Sequence, residues 1–95
     1  MNDAISLEKV PVVHAQVASR VYDGQAVIIL ADEGEATILN ESGTLLWTRI
    51  DGNRCVKELS ETLAEHYGIP AEEAQADSVD FLNSLLDAKA IEIKD

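Results

Sequence analysis

The sequence predicts an α+β chain in which a three-stranded antiparallel meander precedes a bundle of three helices. Three observations carry this. Between residues 17 and 39 the apolar runs are β-rich and broken by Asp-Gly and Asp-Glu-Gly, the punctuation of strands and tight turns. From Asn40 onward the apolar spacing changes to threes and fours, the period of a helix. Breakers at Asp51-Gly52 and at Gly68-Ile69-Pro70 then divide the second half into three segments.

Taken in order, residues 1–12 show no clear period and carry Pro11, so residues 1–16 read as a flexible lead-in to a single domain spanning 1–95. Val17–Tyr22 and the run QAVIILA flank Asp23-Gly24, the preferred two-residue hairpin turn. A second turn at residues 32–34 leads into EATILN. The middle run, AVIIL, is apolar at successive positions, which predicts a central strand covered on both faces, with the flanking strands as the two edges.

Asn40 is a preferred N-cap, and Glu41 suits the positive end of the helix dipole. Leu45, Leu46, Trp47 and Ile50 give a short amphipathic helix that stops at Asp51-Gly52-Asn53. In the second helix Val56, Leu59, Leu63 and Tyr67 share one face. Glu58 is placed to reach back to its N-terminus and Gly68 to end it. Pro70 opens the third helix. There Ala74, Ser78, Phe81 and Leu85 form one apolar row and Val79, Leu82 and Leu86 another. One buried face needs only one row, so the second meets another element or a partner. IEIK at residues 91–94 fits a short terminal strand.

Composition narrows the function. The 95 residues are 46% hydrophobic and 26% charged, within the globular range. The net charge of −11 is carried by the later residues: 1–22 sum to zero, 23–40 to −4 and 41–95 to −7. Phosphate backbones select Lys and Arg, so nucleic acid and anionic membrane surfaces are poor partners for such a chain, and a basic peptide or protein face is a better one. With no long apolar run and no signal pattern, the expected location is cytoplasmic. A lone Cys55 forms no internal disulfide, in keeping with a reducing compartment.

No catalytic constellation emerges. His14, His66 and Cys55 lack zinc-like spacing, no phosphate-binding glycine loop is present, and no nucleophile pairs with a base, so neither metal nor cofactor is expected. Cys55 reads as a structural or capping thiol. Glu73, Asp77, Asp80 and Asp87 line one face of the third helix, either as a solvated face or as an acidic rim for Lys or Arg on a partner. Trp47 and Phe81 are core residues or binding anchors.

The strand ATILN is the informative feature. Exposed strand edges are usually defended by Lys, Pro or a bulge, and this one carries none. Either the third helix or the tail covers it, or it accepts a partner's extended segment as an added strand.

The succession Leu39-Asn40-Glu41-Ser42-Gly43, Leu46-Trp47, Asp51-Gly52, then Phe81-Leu82 with Leu85 resembles the coenzyme PQQ synthesis protein D family, the PqqD-like recognition elements for ribosomally made, modified peptides. The resemblance spans about residues 17–93; Cys55 stands where the family's second helix often starts with Thr. It implies a winged-helix-like fold and a non-catalytic role: holding the leader segment of a precursor peptide against the third meander strand, beside the third helix, for a modifying enzyme, often a radical SAM protein. By position it assigns peptide contacts to Ala36, Thr37, Ile38 and Leu39 on the strand and to Ser78, Phe81, Leu82 and Leu85 on the helix. A winged-helix nucleic-acid binder is the alternative, disfavoured because the second and third helices carry many carboxylates against Lys57 alone. A fixed adaptor subunit is another, and the expected state is a monomer or a weak dimer.

Overall fold

In the computed structural model, which describes residues 6–30 and 36–94, the chain runs β1 (Val10–Val13), β2 (Val17–Tyr22), β3 (Gln25–Leu30), β4 (Ala36–Ile38), α1 (Glu41–Arg49), α2 (Val56–Tyr67), α3 (Ala71–Asp87) and β5 (Ile91–Lys94). The predicted meander is present: β2, β3 and β4 form one antiparallel sheet in that order. Asp23 and Gly24 join β2 to β3 with φ of 51° and 79°, the two left-handed residues that a hairpin turn matching the strand twist demands. The second turn, at residues 32–34, lies outside the described residues.

Side-chain alternation assigns the two faces of the sheet. Ala26 and Ile28 point inward and are buried, whereas Ile29 is exposed and Val27 half-buried on the outer face, beside Arg20 and Tyr22. The expectation that β3 is covered on both faces is therefore not met. The helices pack on one side, and on the other, among the described residues, Val27 and Ile29 are flanked by neighbouring strand side chains.

The lead-in expectation is also corrected. Val10–Val13 is a strand that pairs antiparallel with β5, Val10 opposite Lys94 and Val13 opposite Ile91. Just before it, the Leu7 and Lys9 carbonyls accept from the amides of Lys57 and Val56, each at 2.9 Å. These are two of the four N–H groups that the start of α2 leaves without a helical partner. The partners lie some fifty and eighty residues away, so no local period signals them; Pro11 is tolerated because a two-stranded sheet is all edge. The terminal strand expected at IEIK is the other half of this clamp.

Helix ends follow the sequence. Asn40 Oδ1 accepts from the Gly43 amide at 2.8 Å, Glu58 Oε1 accepts from the Cys55 amide at 2.9 Å, and Gly68 closes α2 with φ of 64°. Cys55 stands at the N-cap of α2, and Pro70 at that of α3. Between α1 and α2, Asp51 Oδ1 accepts from the amides of Asn53 and Arg54. The Asn53 bond foremost holds the Asp51 carboxyl below its ordinary range, despite some opposing desolvation. The core joins Ala26 and Ile28 to Leu46, Trp47, Val56, Leu59, Leu63, Leu82, Leu85 and Ile91. The doubled stripe of α3 is used within the molecule, because α3 packs against both α2 and β5. Among the described residues, no helix is long and apolar enough to cross a membrane.

The passage from β4 to α1 has almost no connecting loop. Leu39 still donates its amide to the Ala26 carbonyl at 2.8 Å, but the return bond of that pair is not made to Leu39. The Ala26 amide donates instead to Thr44 Oγ1 at 2.8 Å, and the Thr44 hydroxyl donates onward to the Leu39 carbonyl at 3.4 Å. Thr44 is 8% exposed, so this relay lies out of water. Thr44→Val keeps the shape and removes the acceptor, stranding a buried amide. Urea denaturation is expected to show a loss of about 2 kcal/mol, with Thr44→Ser retaining most of the stability.

Candidate functional site

The antiparallel register decides which backbone groups of β4 are available. Ile38 faces Val27, Thr37 faces Ile28 and Ala36 faces Ile29. Because the Leu39 amide points into the sheet, alternation turns the N–H and C=O of Thr37 inward as well and those of Ala36 and Ile38 outward. Among the described residues no strand pairs with β4 on that outer side. Ala36, Thr37 and Ile38 are all exposed, and Ile38 is 65% exposed, unusual for an isoleucine on a sheet.

The expected site residues therefore separate. Ala36, Thr37 and Ile38 form the open edge, with outward backbone groups only at Ala36 and Ile38. Leu39 is buried and its amide is already bonded. Ser78, Leu82 and Leu85 are buried on the core side of α3, at 0%, 0% and 4% exposure. The physical reason is the width of the α3 stripe: its rows pack on α2 and β5, which covers these three side chains. Phe81 is the helix residue that reaches the surface, half-buried. Its Cε1 lies 3.1 Å from where a Cβ on Gly43 would stand, with Leu39 Cβ 3.4 Å from the same point. The absence of a side chain at Gly43 is what lets α3 come this close to the strand–helix junction. Trp47, the other candidate anchor, is a core residue at 5% exposure.

Sequence reasoning missed a groove that begins where the edge stops. About 470 Å³ of space lies between the α1 N-terminus, the last turn of α2 and the first half of α3, lined by Asn40, Glu41, Ser42, Leu63, Tyr67, Ile69, Glu73 and Asp77. A continuation of about 360 Å³ shares Asn40, Ser42, Leu63 and Asp77 and reaches Leu46, Asp80 and Phe81. The spacing of Glu73, Asp77 and Asp80 pointed to one of its walls, but nothing local said that α1 would stand opposite. Tyr67, expected on the buried face of α2, sits instead at the rim, stacked edge-on against His66 with centroids 4.7 Å apart. Partial burial, first, and then the charge of Glu41 and a hydrogen bond to it raise the Tyr67 phenol above its ordinary range.

These features define a winged-helix-like α+β domain in which the open edge at β4 adjoins an acidic groove. The family model described as Coenzyme PQQ synthesis protein D (PqqD) matches residues 25–91, more than half of the chain, and the protein belongs to that family. Among solved structures it is similar to TbiB1 in complex with the TbiA(beta) leader peptide, with a TM-score of 0.79 and 20% identity over 85% of this chain and 94% of that one. It is also similar to the PqqD truncation of Methylobacterium extorquens PqqCD, described as a stand-alone RiPP recognition element, with a TM-score of 0.78 and 20% identity over 94% and 95%. At such identity the likeness shows a shared fold. No curated protein matches the sequence.

Two measurements check this geometry. The Ser78 hydroxyl is buried with no hydrogen-bond partner, so Ser78→Ala is expected to stabilise the fold by about 1 kcal/mol in urea denaturation. For Tyr67, an ultraviolet phenolate titration in a Tyr22→Phe background is expected to place ionisation above the ordinary phenol range, and Glu41→Gln to bring it down. A raised pKa favours the protonated fold, so this contribution is present below the ordinary phenol pKa and is lost as pH rises through the folded-state value.

Proposed function

We propose that this protein is a non-catalytic recognition module acting in the cytoplasm. It binds the leader segment of a ribosomally synthesised precursor peptide as an added strand on β4 and presents it to a modifying enzyme, of the radical SAM type. The observation that carries the proposal is the outward-facing backbone of Ala36 and Ile38 on a strand with no partner on that side among the described residues. Main-chain hydrogen bonds to these groups supply affinity, and alternate side chains of the guest supply specificity. On one face they meet Ile38; on the other they approach Phe81 beside Leu39. Membership of the PqqD family and the fold shared with a leader-peptide complex support the same reading.

Amide chemical-shift mapping with the leader of the precursor encoded beside this gene tests it. Shifts are expected at residues 36–40 and around Phe81, and shifts confined to other surfaces would refute it. A pair of prolines separates edge from ladder. Ile38→Pro removes an outward amide and is expected to weaken leader binding about tenfold with little loss of stability. Thr37→Pro removes an inward one and is expected to cost about 2 kcal/mol of stability.

A further inference from the structure

Among the described residues, every charged side chain that lines the groove beyond β4 is a carboxylate: Glu41 on α1 and Glu73, Asp77 and Asp80 on α3. The salt bridges of the described residues, His14 with Glu92 and Arg54 with Asp51, involve none of them. The floor is not polar. Leu63, Ile69 and Phe81 contribute apolar surface, and Tyr67 presents a ring at the rim. At about 470 Å³ the space falls within the ~300–1,000 Å³ typical of ligand clefts. Asn40 both caps α1 and lines the groove, one residue after the strand's last inward amide. The β4 edge and the groove therefore adjoin at Asn40.

We infer that this groove is a second subsite for the same peptide, one that takes a flanking segment carrying Lys or Arg among apolar residues. The inference rests on strand addition at β4. The argument for a cation is complementarity of shape and charge together. A Lys or Arg stem lies along Leu63 and the Tyr67 ring while its head reaches the carboxylates of α3, the division of labour that long basic side chains favour. A carboxylate-bearing segment would meet four like charges in the same place. The backbone groups used in strand addition are common to all peptides, so a charged subsite at the end of the edge adds to the discrimination between leaders that the alternate side chains provide.

Selection from a library of random short peptides by messenger RNA display on the full chain tests the inference, followed by titration of the best binder into isotopically labelled protein. The expected winners carry Lys or Arg at one end of a β-prone run and shift the amides of both residues 36–40 and 73–81. Their affinity falls about tenfold in a Glu73→Gln/Asp77→Asn/Asp80→Asn variant, as three screened ion pairs would give, and falls with added salt. Glu61→Gln/Glu65→Gln, on the exposed face of α2, leaves it unchanged. Winners that shift residues 36–40 but show no basic preference, and bind the triple variant equally well, overturn the subsite and leave strand addition standing. If no peptide is enriched, or the winners leave residues 36–40 unshifted, strand addition fails and the subsite with it.

Discussion

The hydroxyl of Thr44 allows this chain to change from strand to helix without a loop. An antiparallel pair returns two hydrogen bonds, and a strand that turns away after giving only one leaves a buried donor with nothing to meet. Here the Ala26 amide is met by a side chain from the first turn of α1, and the same hydroxyl serves the Leu39 carbonyl. The remaining features of the site depend on this. With the helix starting at Glu41, no described connecting segment folds back along β4, and the outward groups of Ala36 and Ile38 keep their edge.

Close approach of the helices follows from the same short junction. Because α1 begins at once, Gly43 falls directly beside α3, and the lack of a Cβ there lets Phe81 settle against the junction. The core then takes one face of α3. Ala74, Ser78, Leu82 and Leu85 are buried, and Phe81 is left at the surface where the edge ends and the groove begins. The open backbone of β4 and the acidic surface of the groove are thereby separated in space but adjoin at Asn40.

The small sheet of β1 and β5 closes the other end of the molecule. Residues 7 and 9 give their carbonyls to the start of α2, and β1 holds β5, which follows α3. Of the three helices that line the groove, α2 and α3 are thus tied at their far ends to one early segment of the chain. Such long-range ties hold the spacing between α2 and α3 more firmly than their mutual packing alone, because displacing either helix breaks backbone hydrogen bonds as well as apolar contact.

Local chemistry wrote much of this plainly. Asp23-Gly24 specified a hairpin because few residues accept two left-handed conformations in succession; Asn40, Glu58 and Gly68 specified helix ends because each satisfies groups that its own helix leaves free. The order of these signals also carried the family resemblance. The candidate site was legible only as far as its strand. A helical stripe tells which residues are apolar, not which neighbour they meet, so Leu82 and Leu85 looked as available as Phe81 until α2 and β5 covered them. The pairing of β1 with β5, the inward turn of the Thr37 amide and the meeting of α1 with α3 across the groove all join residues far apart in the chain. Tertiary structure alone decided those, because register and packing are properties of pairs of segments and neither segment contains them by itself.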